Sequence, residues 1–168
     1  LAIEQILSQA RRYRADGADV IDVGCDPGGP WLGVGDLVRR LRDEGFRVSI
    51  DSFDRHEVEL ATRAGAELVL SVNGTNVEAA CDWGVEVVVV PDQMATLGGL
   101  DQTIERLEAA QVRYRIDPVI EPIGFGFAAS LGRYMEVRRL NPAAEIMMGV
   151  GNLTELTEVD SAGVNTVL

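Results

Sequence analysis

The chain has 168 residues, of which 46% are hydrophobic and 25% are charged, and its formal net charge is −12. These values are typical of one globular domain with a sizeable core, and the acidic balance argues against binding to nucleic acid or to an anionic membrane surface. The sequence contains no lysine, which excludes a Schiff-base lysine, a phosphate-loop lysine and a lysine general base.

Two further classes are disfavoured by the sequence. No apolar run reaches the roughly 18 residues that a membrane span needs, and no basic segment followed by an apolar stretch opens the chain. Cys25 and Cys81 lie far apart and predict reduced thiols in a cytoplasmic protein rather than a disulfide framework or a zinc site. The chain begins at Leu1 rather than Met, so we expect a fragment or a processed form of a longer protein.

Helical and extended segments alternate along the whole chain, in the order helix, strand, helix. The predicted helices cover residues 2–16, 34–45, 54–65, 76–84, 99–110 and 127–140, and the predicted strands cover 17–24, 46–51, 66–72, 85–91, 113–118 and 145–151. This alternation predicts parallel strands joined by right-handed crossovers. It fits either a doubly wound sheet or a β/α barrel. No linker interrupts the pattern, so we expect a single domain over residues 1–168.

Acids and amides recur where the predicted strands end. Ligands bind at the carboxyl ends of parallel strands, so these side chains are candidates for binding a ligand. Carboxylates and amides around one mouth suit a flat heterocycle with several N–H donors, because each hydrogen bond to a charged partner contributes roughly 1.5–3 kcal/mol. The candidates are Asp22, Asp26, Asp51, Asn73, Asp117 and Asn152.

Most of these candidates also have a structural interpretation. Asp22 could be a strand acid that bonds nearby backbone, and Asp26 could be a turn residue between glycine and proline. Asp51 and Asp117 each follow an isoleucine at a strand end and could cap the next loop. Asn152 could be a helix N-cap.

Other polar positions are assigned structural roles only. Asp54 is the predicted N-cap of helix 54–65, with Glu57 three residues further on. The lone His56 is predicted to face solvent, which argues against a Ser-His-Asp triad and a histidine-rich zinc site. "GFGFAASLG" (124–132) lacks the spacing of a dinucleotide fingerprint, and "GCDPGGP" (24–30) lacks the lysine of a phosphate loop. No metal site is predicted.

Five segments in order, "GADVIDVG", "RVSIDS", "ATRAGAELV", "IDP…GFGF" and "MMGVGN", resemble the pterin-binding barrel of dihydropteroate synthases. The resemblance covers almost the whole chain and is strongest to the dihydropteroate synthase-related proteins of archaea and some methylotrophic bacteria. It implies an α/β fold of the (β/α)8 TIM-barrel type that is incomplete here, with about six strands present. The first and eighth strands would be missing, and the open edges would need cover from a second copy or from the remaining domains of a longer protein.

The resemblance also implies roles for individual residues. Asp51 and Asp117 match two aspartates that contact the pterin ring, and Asp22 and Asp26 fall on the family's strand-one motif. "GVGNLTEL" is similar to "GxSNxS" of corrinoid-linked methyltransferases, in which the Asn contacts a reduced pterin, so Asn152 is a candidate contact. Asn73 lies near the position of the family's strand-four Asn.

Three departures from the family pattern bear on the reaction. Gly29 stands where the strand-one motif has Arg, Leu70 stands where the strand-four Asn is usual, and no Lys ends the seventh strand. A diphosphate needs cationic or backbone N–H partners. The departures therefore favour pterin binding over the synthase reaction itself.

The leading hypothesis is a pterin-binding protein of tetrahydromethanopterin- or folate-type cofactor biosynthesis, which joins a hydroxymethyldihydropterin to an arylamine. The alternatives are a tetrahydropterin-binding methyltransferase-type domain with a corrinoid partner, and a catalytically degenerate scaffold. The expected partner is a small-molecule pterin. No tightly bound cofactor is predicted, although Mg²⁺ could accompany a diphosphate substrate.

Overall fold

The computed structural model describes residues 3–25 and 29–154. Helices and strands alternate as predicted, with strands of three to five residues. The helices are α1 (Ile3–Ala15), α2 (Val34–Asp43), α3 (Arg55–Arg63), α4 (Val77–Ala80), α5 (Leu100–Ala109) and α6 (Phe127–Leu140). The strands are β1 (Val20–Gly24), β2 (Arg47–Asp51), β3 (Leu68–Val72), β4 (Glu86–Val89) and β5 (Tyr114–Ile116).

The five strands form one parallel sheet in the order β1-β2-β3-β4-β5. A doubly wound sheet reverses its strand order at a switch point, whereas the wall of a barrel places each strand beside the next one in the chain. The observed order is therefore that of a barrel wall. It settles the choice that the alternation of elements alone leaves open.

The sixth predicted strand, 145–151, is wrong in its length, because the observed pairing is much shorter. Only Ile146 pairs with the sheet, in a parallel bridge to Ile116, where the Ile116 N–H donates to the Glu145 carbonyl at 3.0 Å and the Met147 N–H donates to the Ile116 carbonyl at 2.9 Å. A 3₁₀ turn, Val150–Thr154, follows at once. The predicted helix 76–84 likewise shortens to the four residues of α4.

The core lies between the sheet and the helices. Val48 and Ile50 of β2 are fully buried and pack with the apolar stripe of α2, formed by Leu37, Val38 and Leu41. Because side chains alternate across a strand, the residues between the core positions face the concave side of the sheet. On β1 and β2 these positions carry polar side chains, namely Asp22, Ser49 and Asp51.

A bulge in β3 changes which residues face the concave side. Val69 pairs with Val87, but Val72 pairs with Val89, so β3 has one more residue than β4 between the two pairs. Such an extra residue re-aims the side chains beyond it. Ser71, which lies within this irregular part of β3, donates a hydrogen bond to Asp51 of β2.

Among the described residues, no helix combines the length and the apolar character that crossing a membrane requires.

Candidate functional site

Two aspartates on the concave face are each held by a serine of the next strand. The Ser49 hydroxyl donates to Oδ1 of Asp22 at 2.7 Å, and the Ser71 hydroxyl donates to Oδ1 of Asp51. Both serines are buried, whereas both aspartates keep exposed surface. The hydroxyls therefore orient the carboxylates without neutralising them.

Asp117 follows β5 directly and is the most deeply buried of the candidate acids, with 9% of its surface exposed. Its Oδ1 accepts hydrogen bonds from the Tyr134 hydroxyl at 2.6 Å and from the Val119 N–H at 2.8 Å. Its Oδ2 lies on the side of Gly149, where a Cβ would be 3.6 Å away. One oxygen of Asp117 is thus fully engaged by the protein.

The loop after Asp117 has a strained backbone. Val119 has a φ of 61°, a left-handed conformation that a β-branched residue rarely adopts. The buried Arg133 holds this conformation, since its guanidinium donates to the Val119 carbonyl at 2.8 Å and to the Pro118 carbonyl at 3.3 Å, and it pairs with Glu121 at 3.0 Å. Strain of this kind costs roughly 1–3 kcal/mol and is concentrated at functional sites. Here it aims the Val119 N–H at Asp117.

The three aspartates influence one another electrostatically. Burial raises the pKa of Asp22 above the usual aspartate value, and the charge of Asp51 raises it further. Burial also raises the pKa of Asp117, as does the charge of Asp51, while hydrogen bonds from Tyr134, Val119 and Gly149 lower it. Asp51 therefore lies close enough to act on both other carboxylates, which belong to the same carboxyl end of the sheet.

This group of Asp22, Asp51 and Asp117 is called the acidic mouth below. None of the three forms an ion pair with an arginine of the described residues. For Asp117, the buried member of the group, this is unusual, because buried carboxylates are normally paired to offset the cost of removing a charge from water. The acidic mouth is consequently suited to a ligand that supplies hydrogen-bond donors or positive charge.

The two candidate amides differ in position. The side chains of Asn152 and Asp117 both approach Gly149. A Cβ added to Gly149 would lie 3.6 Å from Asp117 Oδ2 and 3.8 Å from Asn152 Nδ2. The Asn152 Nδ2 donates to the Ile120 carbonyl at 3.1 Å, which fixes the side chain beside the mouth. Asn73 instead closes its own turn, because its Oδ1 accepts from the backbone N–H and the hydroxyl of Thr75 at 2.9 and 2.7 Å.

A cleft of about 550 Å³ opens beside Asp51 and is lined by Cys25, Gly29, Pro30, Ser52, Phe53, Asp54 and Glu57. Glu57 is its least expected member, because it is 2% exposed and accepts hydrogen bonds from the Trp31 N–H at 2.5 Å and from the Ser52 hydroxyl. It thereby links the loop before α2 to the end of β2. Burial raises the pKa of the Cys25 thiol to about 12, with a further increase from Glu57, so this thiol stays protonated.

The remaining sequence predictions can be placed as follows. Asp54 is the N-cap of α3, accepting from the His56 N–H at 2.9 Å and the Glu57 N–H at 3.0 Å, and His56 is exposed, as predicted. Cys25 and Cys81 are both free. Asp26 lies outside the described residues. The described residues contain no group of three or more His, Cys, Asp or Glu side chains arranged to hold a metal.

The family model described as "Pterin binding enzyme" matches residues 1–117, which is more than two thirds of the chain and includes every member of the acidic mouth. The chain belongs to this family of pterin-binding enzymes. The predicted family resemblance is thereby confirmed.

One archaeal relative matches most of this chain. It is 30% identical over 176 aligned residues to the uncharacterized protein MJ0107 of Methanocaldococcus jannaschii; the alignment covers 93% of this chain and 33% of that protein. The chain thus spans about a third of the length of this relative.

Solved structures show the same fold. The dihydropteroate synthase of Xanthomonas albilineans in complex with 7,8-dihydropteroate superposes with a TM-score of 0.71 at 22% identity, covering 99% of this chain and 72% of that one. The dihydropteroate synthase of Yersinia pestis gives a TM-score of 0.70 at 20% identity, covering 98% and 74%. These matches confirm the predicted fold class, an incomplete barrel of the dihydropteroate synthase type.

Proposed function

We propose that the acidic mouth binds the aminopyrimidine ring of a reduced pterin. Asp51 and Asp117 accept hydrogen bonds from the ring, Asp22 adds negative charge beside them, and Asn152 is a secondary contact. Asp26 and Asn73 stay candidate contacts. The observation that carries this proposal is a set of three carboxylates, unpaired with any described cation, in a chain of the pterin-binding family.

The chemistry of a pterin matches this arrangement. Its aminopyrimidine edge presents adjacent N–H donors, and a carboxylate can accept two such bonds in parallel. Oδ1 of Asp117 is engaged by Tyr134 and Val119, and Gly149 gives this carboxylate a further backbone hydrogen bond, so Asp117 would accept a single bond from the ring at the remaining lone pair of Oδ2. A hydrogen bond to a charged group contributes roughly 1.5–3 kcal/mol, and a ligand without the matching donor would leave a buried carboxylate unpaired.

The proposed reaction is that of a dihydropteroate synthase-like transferase in tetrahydromethanopterin- or folate-type cofactor biosynthesis in the cytoplasm. A C–N bond forms between the pterin methylene carbon and an arylamine nitrogen, the C–O bond to the diphosphate breaks, and the nitrogen releases a proton. A Mg²⁺ ion would arrive with the diphosphate. The open sheet edges would be covered by the rest of a longer protein or by a second copy.

Isothermal titration calorimetry with 6-hydroxymethyl-7,8-dihydropterin tests ring binding. We expect binding that Asp51→Asn weakens at least tenfold, because the substitution removes the charge and one acceptor edge while Ser71 keeps its partner. Asp36→Asn is the matched control, since Asp36 is an exposed acid paired with Arg39 on α2. The absence of binding to the unaltered protein would overturn the proposal and favour a scaffold role.

A second candidate function is supported by Asn152, which lies beside Asp117 at the mouth. In this case the ligand is an N5-methylated tetrahydropterin and the partner is a corrinoid protein. The methyl-bearing tetrahydropterin should then bind more tightly than the dihydropterin, and Asn152→Ala should weaken only the former. Equal effects of Asn152→Ala on both ligands would contradict this second candidate.

A further inference from the structure

One face of α6 contacts the loop that follows β5 at several successive residues. Ser130, Arg133 and Tyr134 have the spacing that places side chains on one side of a helix, and all three are buried. The Ser130 hydroxyl accepts from the Glu121 N–H at 3.1 Å, and the Tyr134 hydroxyl donates to Asp117 at 2.6 Å. The helix therefore holds both ends of the segment from Asp117 to Glu121.

Arg133 holds the middle of this segment. Its Nε donates to the Pro118 carbonyl at 3.3 Å, and one Nη donates to the Val119 carbonyl at 2.8 Å and to the Glu121 carboxylate at 3.0 Å. The Glu121 carboxylate offsets the cost of burying the guanidinium. A planar fork of N–H donors can bind two consecutive carbonyls and an acid together, whereas the donors of a lysine share one nitrogen.

The peptide unit between Pro118 and Val119 connects Arg133 to Asp117. Its carbonyl accepts from the Arg133 Nε, and its N–H, on the opposite edge of the same planar unit, donates to Oδ1 of Asp117 at 2.8 Å. Because the unit is rigid, a hydrogen bond at one edge fixes the direction of the other edge. The first hydrogen bond also polarises the unit, which strengthens its N–H as a donor.

The backbone of Val119 sets the angle between this peptide unit and the next one. Arg133 binds the carbonyls of both units while Val119 has a left-handed φ of 61°. A β-branched residue rarely adopts this region, so without the guanidinium we expect the segment to relax towards a more common conformation. That change would move the Val119 N–H away from Asp117.

From these contacts we propose that Arg133 is a positioning residue of the acidic mouth. It acts through the peptide unit between Pro118 and Val119 to hold one oxygen of Asp117, and it leaves the remaining lone pair of Oδ2 for the ligand. The inference rests on the proposed pterin binding and deepens it by identifying a residue of α6 that sets the affinity of the mouth. Arg133 is assigned no contact with the ring itself.

The charge state of Asp117 reports on this arrangement. Burial raises the pKa of Asp117, hydrogen bonds from Tyr134 of α6 and from the N–H groups of Val119 and Gly149 lower it, and the charge of Asp51 of β2 raises it. Losing the hydrogen bond from Val119 should therefore raise the pKa of the carboxyl. This response can be measured without any ligand.

Arg133→Lys tests the assignment, because it keeps the positive charge and loses the fork. The pKa of Asp117, measured by NMR titration of its carboxyl carbon, should rise by about 0.5–1. Calorimetry should show dihydropterin binding weakened roughly five- to tenfold, with the acid side of its pH profile moved to higher pH. Arg139→Lys is the matched control, since Arg139 pairs with Glu136 on the exposed side of the same helix and should change neither quantity.

Val119→Gly tests whether Arg133 acts through the backbone of Val119. Glycine adopts a φ of 61° without strain, so Arg133→Lys should have a much smaller effect on both quantities in the glycine background. Val119→Ala is the control, because it shortens the side chain but keeps a Cβ and should restore little. Equal effects of Arg133→Lys in the valine and glycine backgrounds would overturn the proposal.

Thermal melts followed by circular dichroism verify that each variant is folded. If Arg133→Lys unfolds alone but folds together with Val119→Gly, that rescue supports the proposal. If it unfolds in both backgrounds, Arg133 serves the fold independently of Val119 and the proposal fails. An unaltered protein that binds no dihydropterin would overturn the proposed function, whereas an unchanged pKa of Asp117 in Arg133→Lys would overturn the role of Arg133 whether or not a pterin binds.

Discussion

The two ends of the parallel sheet differ in how their charged side chains are paired. At the amino end, glutamates are paired within the chain: Glu86 contacts Arg115 at 2.8 Å and Arg113 at 3.5 Å. At the carboxyl end, Asp51 and Asp117 receive only neutral hydroxyl or backbone donors. Charges that are paired internally contribute to folding alone, whereas the unpaired ones are available to a ligand.

The carboxyl end of the sheet also contains features that lower the stability of the folded state. Burial raises the pKa of Asp117, and Val119 next to it has a left-handed backbone. Functional sites commonly sacrifice stability in this way, because the groups that bind a ligand are not optimised for the folded state alone. The contrast between the two ends therefore predicts opposite responses to substitution.

The largest effect is expected for Asp117→Asn. Dihydropterin affinity should fall roughly ten- to hundredfold, since a charged acceptor is lost. The free energy of unfolding at pH 7 should change by less than about 1 kcal/mol, because Asn keeps the acceptor for Tyr134 and Val119 and removes a buried charge. Calorimetry and urea titration measure the two quantities. Unchanged affinity with a large loss of stability would instead assign Asp117 a purely structural role.

A smaller effect is expected for Tyr134→Phe, which removes the hydroxyl that donates to Asp117. That hydrogen bond lowers the pKa of Asp117, so its loss should raise the pKa of the carboxyl and weaken binding several-fold. The acid side of the pH profile of binding should also move to higher pH. Tyr114→Phe is the matched control, because the Tyr114 hydroxyl donates to Glu108 instead. A uniform loss of affinity at all pH values would contradict the proposed positioning of the charge.

At the amino end, Glu86→Gln should lower stability without affecting binding. The pairs of Glu86 with Arg113 and Arg115 are partly exposed, so their loss should cost about 1 kcal/mol and lower Tm by roughly 2–4 °C. Dihydropterin affinity measured by calorimetry should match that of the unaltered protein. A change in affinity would show that the two ends of the sheet are coupled.

Most of the fold could be predicted from the sequence because periodicity carries it. The glycine-terminated helices and the apolar runs lie within a few residues of the observed elements, and the common strand edge of Asp51 and Asp117 follows from parallel pairing. The predicted strand 145–151 is longer than the observed pairing. The glycines within it favour the turn at Val150–Thr154 once pairing at Ile146 ends.

The features that shape the site depend on contacts that local patterns do not encode. Glu57 has the spacing of a capping residue, yet its side chain is buried against Trp31 and Ser52. Tyr134 reaches Asp117 from the middle of α6, and Ser71 reaches Asp51 from the irregular part of β3. A mid-helix tyrosine and a strand serine gave no signal of these roles, since each depends on tertiary packing.

The smallest predicted effect is a difference in the sign of the pH dependence of stability at the two ends. The pKa of Asp117 is raised in the folded state, so its ionised form is disfavoured by folding and stability falls as pH rises from about 3.9 through the raised pKa. The pKa of Glu44 is lowered by Arg11, so its contribution is present above about pH 4.3 and is lost as pH falls through the lowered pKa.

Urea titrations between pH 3 and 7 should separate these two contributions. The free energy of unfolding of Asp117→Asn, relative to the unaltered protein, should increase as pH rises, because the variant no longer ionises a buried carboxyl. The free energy of unfolding of Glu44→Gln, relative to the unaltered protein, should decrease as pH rises through the acid part of the range. The decrease should be slight, since this ion pair is exposed to solvent. Slopes of the same sign would mean that the charge of Asp117 is stabilised in the folded protein as well as that of Glu44. The carboxyl end would then hold its charge for folding, and the contrast on which the proposed binding site rests would be lost.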